Sequence, residues 1–220
     1  MIAAILPDSR VPPSASRPAR GRRTLLVLAL VCVLPVLASY LSFYLWPPSA
    51  RVNHGVLLPP TPLPAVTLAG AGGQPKLALD ELLGRWTLVH AAPAACAPEC
   101  AAALYLMRQA RLAQGKEQDR VGRLWLLTGP DEAAAGASAA GATEPGLRLA
   151  RAAPAWLAAL PVAEGESAVF LVDPLGNVMM RFAVPAAGGA EAATTAAIRG
   201  VIKDLARLLK YSALGRGARG

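Results

Sequence analysis

The sequence contains few of the residues that usually carry catalysis or bind metal ions. It has three cysteines and two histidines among 220 residues, and only 5% of the residues are aromatic. We find no Ser-His-Asp arrangement, no phosphate-binding loop and no zinc-type spacing of cysteine and histidine. These absences argue against triad hydrolases, P-loop nucleotide enzymes and zinc domains. The cysteines are left as the main candidates for chemistry.

Acidic residues are also scarce, with 14 against 22 basic ones, which gives a net charge of +8. The excess lies at the two ends of the chain, because residues 63–212 carry 14 basic and 13 acidic side chains. A nucleic-acid-binding domain needs its basic patch on the folded domain itself. We therefore expect no nucleic-acid partner. Basic ends around a nearly neutral domain instead favour a protein that is anchored in a membrane.

Residues 24–46 contain no charged side chain, and these 23 residues can cross a bilayer core of about 30 Å as one helix. The segment ends in an aromatic belt, which favours an uncleaved transmembrane helix over a signal peptide, with Cys32 as a packing residue inside it. Five arginines precede the segment and Arg51 alone follows it closely. The positive-inside rule predicts that a disordered basic tail, residues 1–23, lies in the cytoplasm and the rest in the bacterial periplasm.

The remainder of the chain is predicted to form a spacer and one domain. Residues 47–62 are proline-rich without an apolar period, so we expect an extended linker. The domain spans residues 63–212 and includes an Ala/Gly-rich insertion at 129–146. Residues 213–220 are predicted to be a second disordered basic tail.

Apolar patterning within the domain alternates strands and helices. Strands are expected at 63–69, 86–90, 121–128, 147–150, 167–172 and 178–182. Helices are expected at 101–113, 153–160 and 191–209. The first strand-helix-strand unit predicts parallel strands, and the last two strands are predicted to form a hairpin. This order predicts an α/β fold: a thioredoxin-like domain with a central mixed sheet flanked by helices, on a single N-terminal transmembrane helix.

The candidate site is Cys96-Ala-Pro-Glu-Cys100, which lies between a predicted buried strand and a predicted helix. A helix N-terminus lowers the pKa of a nearby thiol, so Cys96 should be the more acidic and exposed cysteine, and Cys100 the protected one. Side chains four residues apart share one face of a helix, so the two sulfurs could form a disulfide or bind a soft ion such as Cu(I). Pro98 suits the first helical turn.

The domain resembles the Sco/SenC branch of the thioredoxin superfamily, the membrane-anchored proteins of cytochrome c oxidase assembly. The resemblance rests on the anchor, the Cys-x-x-x-Cys after a buried strand, and the hairpin sequence Leu171-Val-Asp-Pro-Leu-Gly176. More closely, the chain is similar to small Sco-like membrane proteins of beta-proteobacteria. That similarity is carried by the segments 111–116, 173–182 and 202–211.

The resemblance implies an inner-membrane protein that assists oxidase biogenesis from the periplasm. Its partners would be the lipid bilayer and an oxidase subunit, or another copper- or thiol-handling assembly protein. Cys96 and Cys100 would then be the catalytic pair of a thiol-disulfide exchange. Two alternatives stay open: a Cu(I) chaperone that uses the same two thiolates, and a non-catalytic interaction domain with a structural disulfide.

The Sco copper site also uses a histidine shortly before the late strand, and residues 164–167 contain none. This departure weakens a Cys-Cys-His copper site. The candidate third ligands are His90, Met179 and Met180, although a structural role is favoured for each. Glu166 would be a poor Cu(I) ligand but could influence a thiol pKa.

Overall fold

The structure is a computed structural model, and the chain divides into two compact units, residues 1–51 and residues 52–220. The structure describes residues 19–45, 53–129, 144–161, 166–186 and 188–217.

The described part of the first unit is the helix α1, which spans Ala19–Leu45 and includes Pro35. Gly21–Leu45 contains an 18-residue stretch with a mean hydropathy of 2.5 and no buried side chains, so it is a candidate membrane span by length and composition. The helix begins before residue 24, because Ala and Arg are good helix formers. The prediction of disorder is therefore wrong for residues 19–23, while residues 1–18 lie outside the described residues.

The second unit is built on a six-stranded mixed sheet with the order β1-β6-β5-β2-β3-β4. The strands are β1 Val56–Pro62, β2 Trp86–Pro93, β3 Val121–Thr128, β4 Leu147–Arg151, β5 Ala168–Val172 and β6 Asn177–Ala183. The helices of its described residues are α2 Pro98–Leu112, α3 Pro154–Ala158 and α4 Glu191–Gly217, with 3₁₀ turns at Leu79–Glu81 and Gly115–Arg120. β2, β3 and β4 are parallel, whereas β1, β6, β5 and β2 pair antiparallel. The predicted mixed sheet flanked by helices is confirmed.

The central strands are apolar on both sides because helices or loops cover both faces of the sheet. Val89, Leu124 and Phe170 pack on one face. Leu88 and Leu171 pack on the other face, with residues of α2 and α4. Since successive strand residues point to opposite faces, a doubly covered strand has a continuous apolar sequence. This explains why β2, β3 and β5 could be located from the sequence.

The linker prediction for residues 47–62 is wrong in its second half. Val56–Pro62 forms the edge strand β1, in which Val56 lies opposite Arg181 of β6. Prolines are tolerated here because an edge strand uses the hydrogen-bonding groups on only one of its sides. The strand predicted at 63–69 is replaced by an irregular segment with an isolated bridge between Leu68 and Leu77. Residues 47–52 lie outside the described residues.

Two other predicted segments extend beyond the described residues. α4 continues to Gly217, so the disordered tail predicted at 213–220 is helical over 213–217, where alanine and leucine favour a helix. Residues 218–220 lie outside the described residues. So do residues 130–143, which are most of the predicted insertion.

A buried carboxylate in α4 holds the start of β1 in place. Asp204 is 2% exposed, and its Oδ2 accepts the backbone N–H groups of His54 at 2.7 Å and Gly55 at 2.9 Å. Gly200, one helical turn earlier, allows this approach, since a Cβ there would lie 2.8 Å from the Cβ of His54. This contact, which we call the Asp204 clasp, attaches the chain to α4 just before the edge strand.

We expect Asp204→Ala to lower the free energy of unfolding by about 3 kcal/mol. The substitution leaves one buried and one partly buried N–H group without their charged acceptor, and hydrogen bonds to charged groups contribute about 1.5–3 kcal/mol each. Urea unfolding of the full chain in detergent measures the change. Lys203→Ala, at the exposed neighbouring position, should change stability by less than about 0.5 kcal/mol. Equal losses in the two variants would show that the clasp does not stabilise the domain.

Candidate thiol-disulfide site

The two cysteines lie where β2 leads into α2. β2 ends at Pro93, and the backbone N–H of Cys96 donates to the Pro93 carbonyl at 3.1 Å, which closes a tight turn. α2 then begins at Pro98, the first helical position, where proline loses no hydrogen bond. The predicted junction of strand and helix is confirmed, with the helix starting three residues before the predicted Ala101.

Cys96 and Cys100 are joined in a disulfide, with their Cα atoms 5.1 Å apart. Cys100 belongs to the first turn of α2, but Cys96 precedes the helix, so the prediction that both lie on one helical face is wrong. Instead, Cys96 has φ +37°, and among the described residues it is the one non-glycine residue with a positive φ. Such a conformation costs about 1–3 kcal/mol and is typical of functional sites.

The two cysteines differ in their exposure to solvent, as predicted. Cys100 is 4% exposed and packs in a cluster with Ala92, Trp125 and Leu127. Trp125 fixes this cluster, because its Nε1 donates to the Ala92 carbonyl at 3.3 Å. Cys96 is only partly buried at the edge of the same cluster. A partner thiol or disulfide can therefore reach Cys96 more easily than Cys100.

The N-terminus of α2 favours the thiolate form of Cys96, which lies just before the helix. Ala97, the N-cap residue of α2, offers no side-chain cap to the N–H groups of the first turn. These groups carry a partial positive charge of about half a unit, which lowers the pKa of a nearby thiol. Glu99 in the same turn opposes this effect with its negative charge.

His90 is buried in β2, beside the cluster that contains Cys100. It pairs in register with Trp125, and its Nδ1 lies 2.8 Å from the carbonyl oxygen of Ala168. Since a carbonyl oxygen only accepts, Nδ1 carries the hydrogen in the neutral ring and Nε2 is an acceptor. Nε2 is buried and has no partner among the described residues. Burial lowers the pKa of His90, although its hydrogen bond to Ala168 acts in the opposite direction.

We expect this lowered pKa to make the protein less stable in mild acid. The unfolded chain takes up a proton at His90 near pH 6.5, whereas the folded chain does so only at lower pH. The stability associated with a neutral His90 is therefore complete above pH 6.5 and is lost as the pH falls towards the folded pKa. One proton gives a slope of at most about 1.4 kcal/mol per pH unit.

Urea unfolding of the full chain between pH 7.5 and about pH 5 measures this slope, and His90→Asn is the matched control. Asparagine can still donate to the Ala168 carbonyl but does not titrate. The wild-type chain should lose more stability than the variant as the pH falls. Parallel pH profiles of the two proteins would contradict the assignment of a neutral, buried His90.

The other candidate ligands lie in ordinary structural positions. Met180 is buried in the apolar cluster between the sheet and α2 and α4, and Met179 is partly buried against that cluster. Glu166 forms an ion pair with Arg181. Within the described part of the chain there is no group of three His, Cys, Asp or Glu residues that could hold a metal ion. For Cu(I), the site therefore offers two soft sulfur ligands once the disulfide is reduced, without a grouped third ligand.

The family of the chain follows from a match to a known family model. The model described as "Transmembrane-like, thioredoxin-like, C-terminal domain" matches residues 86–212, which include β2, the disulfide and α2. The chain belongs to this family. A search of the curated proteins finds no match to this transmembrane-like, thioredoxin-like chain.

Solved structures share the fold of this transmembrane-like, thioredoxin-like protein. Apo Sco1 from Thermus thermophilus is 19% identical, with a TM-score of 0.50 over 73% of this chain and 99% of that one. ScoI from Bradyrhizobium japonicum with copper bound is 17% identical, with a TM-score of 0.42 over 66% and 98%. A protein from Chlorobium tepidum described as a "putative Thiol:disulfide interchange protein DsbE" is 16% identical, with a TM-score of 0.48 over 67% and 98%. The likeness to Sco1 from Thermus thermophilus agrees with the resemblance at the level of fold.

Two features of this family member were not predicted from the sequence. Asp204 stands in an otherwise regular amphipathic helix, where one acidic residue gives no signal of burial. Thr87 and Gly122 lie in central strands, next to a cleft that no sequence motif marks. The glycine was the one available signal, since glycine inside a strand often marks the close approach of another group.

Proposed function

We propose that the protein is a membrane-anchored thiol-disulfide exchange protein that acts through Cys96 and Cys100. The observation that carries the proposal is the difference between the two cysteines. Cys96 is partly exposed before a helix N-terminus, and Cys100 is buried within disulfide distance. An attacking thiol needs access and thiolate character, whereas a resolving thiol needs only to reach the first sulfur.

In the reaction, the Cys96 thiolate attacks a disulfide of the partner, forms a mixed disulfide, and releases one partner thiolate. The Cys100 thiolate then attacks the Cys96 sulfur. The Cys96–Cys100 bond forms, the bond between Cys96 and the partner breaks, and the second partner thiolate leaves. The partner disulfide gains two electrons and the Cys96–Cys100 dithiol loses two. The reverse sequence oxidises a partner dithiol.

The oxidation rate of the reduced chain by glutathione disulfide tests the proposal. The full chain carries Cys32→Ser, so that only the two cysteines of the site react. We expect faster oxidation in the folded protein than in the same protein unfolded in urea, because folding supplies the helix terminus and holds the two sulfurs together. A folded protein that reacts more slowly than the unfolded one would indicate a structural disulfide.

We further propose that the domain lies in the periplasm and that its substrates are proteins of cytochrome c oxidase assembly. The five arginines before residue 24 support this orientation through the positive-inside rule, and an extracytoplasmic compartment permits a disulfide. The Sco-type sequence features support the pathway and beta-proteobacterial membership. Alkylation of Cys96 by a membrane-impermeant reagent in intact spheroplasts tests the orientation. The chain carries Cys32→Ser and Cys100→Ser and is mildly reduced first, so that Cys96 is its one free thiol. Labelling only after the membrane is broken would contradict it.

Cu(I) binding is the second candidate function, and it is favoured by the two adjacent sulfurs that reduction would release. A Cu(I) chelator of known affinity in competition with the reduced full chain tests it. We expect the wild-type chain to take Cu(I) from the chelator, and the Cys100→Ser variant to take much less. If the wild-type chain fails to compete, the chaperone role is ruled out.

A further inference from the structure

A cleft of about 360 Å³ opens at the other end of β2 and β3 from the disulfide. Its floor is formed by Thr87 and Gly122, which lie side by side in the parallel register of the two strands. Leu77, Leu82 and Leu147 form an apolar wall. The charged residues that line the cleft are Arg85, Arg123, Arg148 and the acidic Glu81. The volume falls within the range of small-molecule sites, which is about 300–1,000 Å³.

Gly122 keeps the floor of this cleft open. Glycine weakens a central strand, and Gly122 does not have the positive φ that would require one. A Cβ at this position would lie 3.0 Å from the Thr87 Oγ1 and 3.4 Å from the Cδ of Arg85. Any larger residue would therefore displace the groups that line the cleft.

The polar groups of the cleft lack protein partners. Thr87 is 1% exposed, and its Oγ1 is buried without a hydrogen bond to any described residue. Its hydroxyl can donate as well as accept. Arg123 also lines the cleft, and its Nε is buried and likewise unpartnered. Buried polar groups are normally hydrogen-bonded, so two such groups at one cleft indicate that a polar ligand completes the site.

The charges of the cleft favour a ligand with one negative charge. Arg148 pairs with Glu81 at 3.1 Å, and Arg123 pairs with Glu144 at 2.7 Å. Arg85 is exposed at the rim and makes no hydrogen bond or ion pair with the described residues. One guanidinium is thus left uncompensated, and a guanidinium binds a carboxylate through two parallel hydrogen bonds.

We propose that this cleft binds a small monocarboxylate, with Arg85 pairing the carboxylate, Thr87 donating a hydrogen bond, and the leucine wall contacting the apolar part of the ligand. The site is separate from the disulfide, because Thr87 and Gly122 lie near the start of β2 and β3 whereas Ala92 and Leu127 of the Cys100 cluster lie near their ends.

Propionate is the probe, and propionamide is its neutral, nearly isosteric control. The full chain in detergent micelles is titrated with each compound, and the amide NMR signals of Thr87 and Gly122 are followed. We expect saturable shifts with propionate, at least tenfold weaker binding of propionamide, and at least tenfold weaker propionate binding by Arg85→Gln. Gly122→Ala should remove binding.

Arg85→Gln keeps the test valid if Gly122→Ala does not fold, since position 85 is exposed. Arg199→Gln, at an exposed position of α4, controls for a general loss of positive charge and should bind propionate as the wild-type chain does. Three results would each overturn the proposal: no saturable shift with propionate, equal binding of propionamide, or unchanged binding by Arg85→Gln.

Discussion

Cys100→Ser should convert the protein into a trap that stays covalently attached to its thiol partners. In this variant Cys96 is free to attack a disulfide, but the buried residue that would break the mixed disulfide is missing. In a Cys32→Ser background, incubation with glutathione disulfide should therefore give a stable adduct on Cys96. Intact-mass measurement under non-reducing conditions detects the adduct and peptide mapping locates it.

Cys96→Ser is the matched variant, and we expect it to form little adduct. The remaining thiol at position 100 is 4% exposed and packs against Trp125, so a disulfide in solution has poor access to it. The wild-type chain should pass through the adduct without accumulating it. Adducts of similar yield on Cys96 and Cys100 would contradict the separate roles proposed for the two cysteines.

Trp125→Ala should give the largest loss of stability of any single substitution near the site. Trp125 is fully buried in β3, and replacement of a buried tryptophan by alanine costs about 3–5 kcal/mol. That is a large part of the 5–15 kcal/mol that is typical of a whole domain. The change also removes the hydrogen bond to the Ala92 carbonyl, so the support of Cys100 is lost together with the packing.

Urea unfolding of the full chain measures this effect, with Tyr105→Ala on α2 as an aromatic control. Tyr105 is 52% exposed, so we expect its removal to cost less than about 0.5 kcal/mol. Trp125→Phe keeps most of the packing but not the hydrogen bond, and its stability should lie between those of the wild-type chain and Trp125→Ala. Equal stabilities of Trp125→Ala and Tyr105→Ala would contradict the packing described for the Cys100 cluster.

The sequence was sufficient to locate the strands and helices that have a clear local pattern of apolar residues. β2, β3 and β5 are short continuous apolar runs, and α4 has an apolar stripe at helical spacing. β1 escaped detection because its residues are proline-rich and mostly exposed. Its position depends on pairing with β6 and on Asp204, both of which are far away in the sequence.

At the site, the sequence predicted the pair of cysteines and their different exposure, but not the geometry that joins them. The positive φ of Cys96 depends on how the turn after Pro93 packs, and no residue type in that turn requires it. The face of the sheet on which the His90 ring lies could not be predicted from the sequence either. In a strand that is buried on both faces, alternation does not tell which face a polar residue occupies.

The reduction potential of the Cys96–Cys100 pair tests the central claim most directly. The full chain with Cys32→Ser is equilibrated with glutathione buffers, and the reduced fraction is read by thiol alkylation and mass spectrometry. Thiol-disulfide exchange proteins have potentials between about −270 and −120 mV, and we expect the pair to fall in this range. A potential below about −300 mV is typical of a structural disulfide and would contradict the proposed exchange function.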